Sequence, residues 1–181
     1  MIYVTSDFHF SHNRDFIYEP RGFIRVEDMN KTIVKNWNSI INKDDDVYIL
    51  GDLMLNDDEK GLQLINSLNG WLHVIRVNHD TSTRVNKYLN LPNVVEVVNA
   101  QYLDYKKYHF YLSHYPTITS NFDYDKPLRQ RLLNLCGHSH TKDKWADADK
   151  GFIYHCELDA HDMKPISFDR IIEDFKEKFN K

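Results

Sequence analysis

Short apolar runs recur along the chain, and each of them leads into a polar residue that can bind a metal. The runs are rich in branched and aromatic side chains, which is typical of buried strands. In layered α/β folds, ligands collect at the carboxyl ends of such strands. The pattern therefore predicts that five strands bring their polar residues to one edge of the fold. The runs lie at residues 2–5, 47–50, 72–77, 110–113 and 132–136.

Four further segments carry apolar residues at helical spacing. Residues 29–41 predict an amphipathic helix, and residues 62–68 predict a shorter one that ends at an Asn-Gly pair. A third helix is expected over residues 81–91, where the following proline stops it. The last is expected over residues 167–179, with Ser167 as its N-cap.

The order of the elements changes from alternating strands and helices to mostly strands, with further strands expected at 94–98, 101–105 and 109–113. This order fits two packed sheets with helices outside them. No repeat or linker divides the sequence, so residues 1–181 are interpreted as one domain. Residues 10–25 form the one long irregular segment, and such loops are often functional.

Composition narrows the class of protein. With 41% hydrophobic and 28% charged residues, the chain has an ordinary globular composition. Its net charge of −4 argues against an extended nucleic-acid or membrane surface, and no run approaches the roughly 20 apolar residues of a membrane span. A cytoplasmic protein is expected. Cys136 and Cys156 are interpreted as reduced core residues, with a metal-ligand role for Cys136 as the alternative.

Ten histidines and several acids form motifs at the ends of the predicted strands. In chain order the motifs are Asp7-x-His9, Gly51-Asp52, Asn78-His79-Asp80, His114 and Gly137-His138-Ser139-His140. This string resembles the calcineurin-like metallophosphoesterase superfamily, and residues 159–167 look like the end of its small, cap-less bacterial and phage members. The resemblance implies a four-layer α/β/β/α sandwich of two mixed sheets with a dinuclear metal centre at one edge.

The same resemblance implies a role for each motif residue. Two divalent ions are expected, manganese first, with iron, zinc or nickel as alternatives. Asp52 would bridge the ions. The other implied metal ligands are Asp7, His9 and His140 for the first ion and Asn78, His114 and His138 for the second.

The expected reaction is hydrolysis of a phosphate ester by a metal-bridging hydroxide. His79 would assist the leaving group, and Asp80 would orient its ring. The expected substrate is a small phosphate ester or a nucleotide-like molecule, with a phosphodiester preferred because no insertion is long enough for a cap. Phosphomonoester hydrolysis, a non-catalytic scaffold on the same fold and a mononuclear zinc module are the alternatives. The oligomeric state stays open.

Two features near the motifs bear on the site. Arg21 is the preferred substrate contact and His12 a second one, with a solvated loop as the alternative for each. Val77 stands where the family has glycine, and a β-branched residue resists some backbone angles that glycine accepts. Binding at the second metal position therefore depends on how Val77 fits. Outside the motifs, His73, His109 and His155 are interpreted as strand histidines and His161 as a turn residue.

Overall fold

A computed structural model describes residues 1–55, 58–120 and 126–179. The described residues contain nine strands, numbered in chain order: β1 Ile2–Thr5, β2 Asp46–Ile49, β3 Trp71–Ile75, β4 Val94–Val98, β5 Gln101–Tyr105, β6 Tyr108–Leu112, β7 Leu132–Cys136, β8 Ile153–His155 and β9 Ile166–Ser167. They form a five-stranded sheet in the order β4-β3-β2-β1-β9 and a four-stranded sheet in the order β5-β6-β7-β8.

Both sheets are mixed. In the first sheet β1 to β4 are parallel, and only β9 runs against its neighbour β1. In the second sheet β5 and β6 are antiparallel, whereas β6, β7 and β8 are parallel. The predicted α/β sandwich of two mixed sheets with flanking helices is confirmed. The short strands β8 and β9 lie outside the predicted set.

In the described part of the chain, five α-helices connect or flank the strands: α1 Asp15–Tyr18, α2 Val26–Asn38, α3 Asp58–Asn66, α4 Ser82–Leu89 and α5 Phe168–Phe179. The four longer ones match the predicted helices with shifted ends. The Ser167 hydroxyl accepts the Arg170 backbone N–H at 3.2 Å, which confirms it as the N-cap of α5. The segment at residues 10–25 is not wholly irregular, because it contains α1. None of the described helices is long and apolar enough to cross a membrane.

Two apolar cores lie on the two faces of the first sheet. On one face, α2, α3 and α4 pack against β1 to β3 around the fully buried Trp37. On the other face, Val4 and Tyr48 meet residues of the second sheet, together with Phe168 and Phe175 of α5. Because both faces of the parallel strands are covered, these strands are continuous apolar runs in the sequence.

The cysteines and His161 belong to the core around β8. Both thiols are free and buried, and burial raises the pKa of Cys136 and of Cys156. Neither cysteine belongs to the metal-ligating groups of the described residues. The ring of His161 lies 2.8 Å from the backbone oxygen of His155, directly after a short 3-10 turn, which agrees with its interpretation as a turn residue.

The three strand histidines each contact acidic partners. His73 lies between Asp46 and Glu96, and His109 contacts Asp104. His155 is fully buried, with Nδ1 2.9 Å from the Glu157 carboxylate and Nε2 3.0 Å from that of Asp147. The placement of these histidines on strands is confirmed.

We expect the stabilisation contributed by His155 to decline as the pH rises. Burial alone would lower the pKa of His155, but hydrogen bonds to the Glu157 and Asp147 carboxylates outweigh burial and raise it. The native state therefore holds this proton more tightly than the unfolded chain, whose histidine pKa is about 6.5. The contribution is complete below that pH and is lost as the pH rises through the higher folded-state value.

Urea unfolding of the wild type and of His155→Gln in EDTA, from pH 6 to pH 9, measures this effect. The stability difference between the two proteins should shrink with increasing pH. A difference that stays constant or grows over this range would contradict the charge assignment.

Candidate metal centre

The motif residues lie at the carboxyl ends of the strands, as predicted. Asp7 and His9 follow β1, and Asp52 follows β2. The Asn78-His79-Asp80 segment follows β3, and the remaining ligands follow β6 and β7 in the second sheet. Because β1 to β3 are parallel, as are β6 and β7, their ends meet at one edge of the sandwich.

The backbone at these strand ends is strained. Five of the seven predicted metal ligands have left-handed backbone angles, with φ between 48° and 77°. Non-glycine residues in this region cost roughly 1–3 kcal/mol each, and they cluster where function requires a fixed geometry. The five are Asp7, His9, Asp52, His138 and His140.

Three side chains form a first metal-ligating group, consisting of Asp7, His9 and His140. The two Nε2 atoms of the histidines lie 2.9 Å apart. Asp7 Oδ1 lies 3.8 Å from His9 Nε2 and 3.7 Å from His140 Nε2. This group coincides with the set that the resemblance implies for the first ion.

Asp7 also belongs to a second group, with Asp52 and His114. Asp52 Oδ2 lies 3.7 Å from His9 Nε2 and 3.6 Å from His114 Nε2, so the carboxylate stands between the two groups. His138 lies next to the second group, because its Nδ1 is 3.1 Å from His114 Nε2. A carboxylate in this place has the geometry expected of a bridging ligand.

Asn78 reaches the second group through an aromatic neighbour. Its side-chain oxygen accepts a hydrogen bond of 2.8 Å from the Tyr115 hydroxyl. The Tyr115 ring packs edge-on against the rings of His114 and His138, with centroids 4.8 and 4.7 Å away. Tyr115 therefore holds the amide oxygen of Asn78 beside the two histidines. Its position next to His114 in the sequence was the only signal for this contact.

Val77 fits the turn without a strained backbone. Its φ is not in the left-handed region, and its side chain is buried. The neighbouring Gly51 has φ +95°, and a Cβ atom there would lie 2.3 Å from Val77 Cγ1. Val77 therefore fills the space that Gly51 leaves open. Glycine is therefore required at residue 51 and not at residue 77.

Asp80 is buried beneath the loop that carries Asn78 and His79. One carboxylate oxygen accepts the Val77 backbone N–H at 3.0 Å, and the other accepts the Tyr88 hydroxyl at 3.1 Å. Among the described residues it has no hydrogen bond to the His79 ring. Asp80 thus positions the loop, while its predicted role in orienting the His79 ring stays a prediction.

Arg21 is a structural residue of the site. Its side chain is only 2% exposed and forms two hydrogen bonds, of 2.9 and 2.7 Å, with the Asp159 carboxylate. It also donates to the backbone oxygens of Asp7 and Phe8. All three guanidinium nitrogens are engaged within the protein, so Arg21 fixes the loop that carries Asp7 and His9. It is not the substrate contact that the sequence predicted.

Asp159 is a site residue that the sequence analysis missed. Its Oδ2 lies 3.2 Å from His140 Nδ1, which leaves Nε2 of that ring facing the first group. Burial would raise the pKa of Asp159, but hydrogen bonds from His140 and Arg21 lower it strongly. Carboxylates that orient a metal-binding histidine in this way are common around metal centres. The Asp159-x-His161 pattern was visible in the sequence, but its partner across the fold was not.

A cavity of about 470 Å³ opens beside the two groups. His12 is one of its lining residues, and its Nδ1 lies 3.4 Å from Nδ1 of His9. His79 lines the same cavity. The predicted placement of both residues next to the metal groups therefore agrees with the structure, and their contacts with a substrate stay predictions.

Comparison with known proteins adds a family. The chain is 33% identical over 177 residues to the uncharacterised protein MJ1445 of Methanocaldococcus jannaschii, and the match covers 95% of this chain and 89% of that protein. The chain belongs to the MJ1445 family. No model of a known protein family matches it.

Solved structures identify the fold of this family member. The protein of unknown function AQ665 from Aquifex aeolicus superposes with a TM-score of 0.71 at 23% identity, over 97% of this chain and 98% of that one. A structure described as a novel archaeal phosphodiesterase superposes with a TM-score of 0.51 at 12% identity, over 88% and 86% of the two chains. These superpositions confirm the predicted fold, an α/β sandwich of two mixed sheets with flanking helices.

The electrostatics of this MJ1445-family centre favour a cation. Burial and the nearby Asp7 carboxylate raise the pKa of Asp52. Burial, together with the neighbouring His140 and Arg21, lowers the pKa of His9 well below its ordinary value, so that its ring is neutral. Neutral imidazoles next to carboxylates are a donor set for divalent ions.

The hydrogen bonding of Asp7 also favours a bound cation. Asp7 is fully buried, and its Oδ2 accepts the His138 backbone N–H at 2.9 Å. Its Oδ1 has no hydrogen-bond partner among the residues that the structure describes. A buried carboxylate oxygen without a partner is costly, and a metal ion would satisfy it. The residues of the centre therefore fit the metal ions that the fold implies.

Proposed function

We propose that the protein is a metal-dependent phosphoesterase that uses two divalent ions, with manganese as the first choice, and prefers phosphodiesters. One observation carries this proposal: two metal-ligating groups share Asp7, whose Oδ1 is buried without a partner, and both adjoin a cavity that also contains His79. Ester hydrolysis needs clustered positive charge and a group that can transfer a proton, and this cavity combines side chains that could hold divalent ions with a histidine.

The structure supports one arrangement of ligands. Asp7, His9 and His140 would hold one ion, Asp52 would bridge, and the second ion would use Asn78, His114 and His138. When bound, such ions lower the pKa of water and neutralise charge on the phosphoryl oxygens. The protein supplies the fixed geometry: Asp159 aligns His140, the Leu50 backbone oxygen lies 2.8 Å from His114 Nδ1, and Tyr115 aligns Asn78.

His79 is the proposed proton donor to the leaving oxygen. Its side chain lines the cavity without a hydrogen bond to another described side chain, so the ring is free to meet a substrate. Its backbone oxygen accepts a hydrogen bond of 2.7 Å from the Arg84 guanidinium. The Asp80 carboxylate fixes the same turn by accepting the Val77 backbone N–H. Because these two contacts fix the backbone of the turn, the His79 ring can approach a leaving group from a defined position.

The preference for a diester is supported by the shape of the site and by a structural relative. Among the described residues, only the segment at 10–25, Leu55 and Asp159 border the cavity in addition to the motif loops. Such an open site accepts a second ester substituent. The archaeal phosphodiesterase of similar fold is described as acting on this class of ester.

A chromogenic phosphodiester and the matching monoester, assayed with and without Mn²⁺, test the proposal. We expect metal-dependent hydrolysis of both, faster for the diester, and two ions per chain by elemental analysis. A faster monoester reaction would overturn the diester preference. No hydrolysis by a protein carrying two ions would overturn the proposed activity.

His79→Ala should slow hydrolysis most when the leaving group is a poor one. General acid catalysis contributes on the order of 10²–10⁴ in rate, and a p-nitrophenolate leaves without needing a proton. The loss in kcat should therefore be much larger for a phenyl or alkyl ester than for the p-nitrophenyl ester. His109→Ala, on the exposed side of β6, is the matched control. Equal losses for good and poor leaving groups would show that His79 is not the proton donor.

A further inference from the structure

One wall of the metal-centre cavity is apolar. It is built by Phe16, Ile17 and Pro20 from the segment around α1, and by Leu55 after the Asp52 loop. Phe16 is 67% exposed, which is unusual for a phenylalanine in a protein whose other phenylalanine rings are mainly in the cores. An exposed aromatic ring at the rim of a site is available to a ligand.

The Phe16 ring is held in a fixed relation to the metal ligands. It packs edge-on against His12, with ring centroids 5.7 Å apart and an interplanar angle of 86°. The His12 ring in turn lies 5.4 Å from that of His9. At the start of α1, the Asp15 carboxylate accepts the Phe16 backbone N–H at 2.9 Å. Two ring contacts therefore connect the exposed face to the first metal group.

The charge of the cavity limits what this wall can bind. No lysine or arginine is among the described residues that line it. Arg21 lies behind the loop and is engaged by Asp159 and backbone oxygens. Among the described residues, the wall itself therefore offers no lysine or arginine to a second phosphate or a carboxylate. The apolar wall and the exposed ring instead suit an uncharged planar group.

We propose that Phe16 and the apolar wall beside it form a subsite for an aromatic ring joined to the scissile phosphate, a nucleobase in a natural substrate. The subsite rests on the proposed phosphoesterase function and specifies its substrate class. Stacking of a base on an aromatic side chain is worth about tenfold or more in affinity and tolerates different bases. The phosphate would lie at the metal groups, and the base would lie against Phe16.

Binding of adenosine 5′-monophosphate and of ribose 5-phosphate, which differ by the base alone, tests the subsite by calorimetry. Both ligands are titrated into the metal-free and the Mn²⁺-loaded protein. We expect Phe16→Ala to weaken the nucleotide about tenfold and to leave ribose 5-phosphate unchanged, whereas Phe16→Tyr retains the preference. Ile24→Ala, an 88% exposed apolar residue of the same segment outside the cavity, should change neither ligand.

The methyl esters of the same two phosphates, followed by phosphorus NMR, separate the subsite from the activity. Hydrolysis of both esters with a KM that Phe16→Ala leaves unchanged would overturn the subsite while the phosphoesterase function stands. Base-dependent binding through Phe16 without hydrolysis of any ester would support the subsite and overturn the function. Equal affinity of the wild type for the two ligands would also overturn the subsite.

Discussion

Asp52→Asn is expected to lower phosphodiester hydrolysis by at least about 10³-fold. Asp52 Oδ2 stands between His9 Nε2 and His114 Nε2, at 3.7 and 3.6 Å. An amide would remove the negative charge that two neighbouring cations require. Metal clamps supply several kcal/mol of transition-state stabilisation, and about 4 kcal/mol corresponds to about 10³ in rate.

The same substitution should not unfold the protein. Burial and the adjacent Asp7 raise the pKa of Asp52, so the carboxylate destabilises the metal-free fold at neutral pH. Metal-free Asp52→Asn should therefore be at least as stable in urea as the metal-free wild type, while it binds fewer ions. Asp104→Asn, an exposed carboxylate on β5, is the control. Full activity in Asp52→Asn would rule out the proposed bridging role.

Arg21→Met is expected to destabilise the protein by about 3–5 kcal/mol. The Arg21 and Asp159 side chains are 2% and 7% exposed, so removal of the guanidinium leaves a buried carboxylate without its partner. The backbone oxygens of Asp7 and Phe8 lose a donor as well. Urea unfolding measures the loss, and metal titration should show weaker binding because His140 depends on the same carboxylate.

The comparison with Arg14→Met makes this result specific. Arg14 is an exposed arginine of the same segment, and its substitution should change stability by no more than about 0.5 kcal/mol. If Arg21 were a substrate contact, Arg21→Met would instead raise KM and leave the unfolding midpoint unchanged. That pattern would restore the role that the sequence analysis assigned to it.

The motif loops could be predicted well because their signal is local. Each apolar run is a strand, and the residue after it must lie at the strand's carboxyl end. Asp7, His9 and His140, which the resemblance assigns to the first ion, lie together in the structure although His140 is more than 130 positions from the other two. The strand and helix ends were less certain, as the shifted bounds of α2 show.

Partners across the fold could not be predicted in this way. Arg21 was assigned to the substrate because arginines near phosphates often bind them. In the structure it instead forms a buried salt bridge with Asp159. The sequence left open how Val77 fits beside Asn78 and His79, and the left-handed Gly51 provides the space that Val77 needs. In both instances the deciding contact joins segments that are distant in the chain.

The sequence by itself determined the class of fold and which side chains are candidate metal ligands, because periodicity and short motifs are properties of neighbouring residues. Only the tertiary structure decided which oxygen stays without a partner, which arginine is buried and which aromatic ring faces the cavity. Those outcomes depend on burial and on distances of a few ångströms between separate loops. Hydrogen bonds and ion pairs gain or lose most of their free energy over that range.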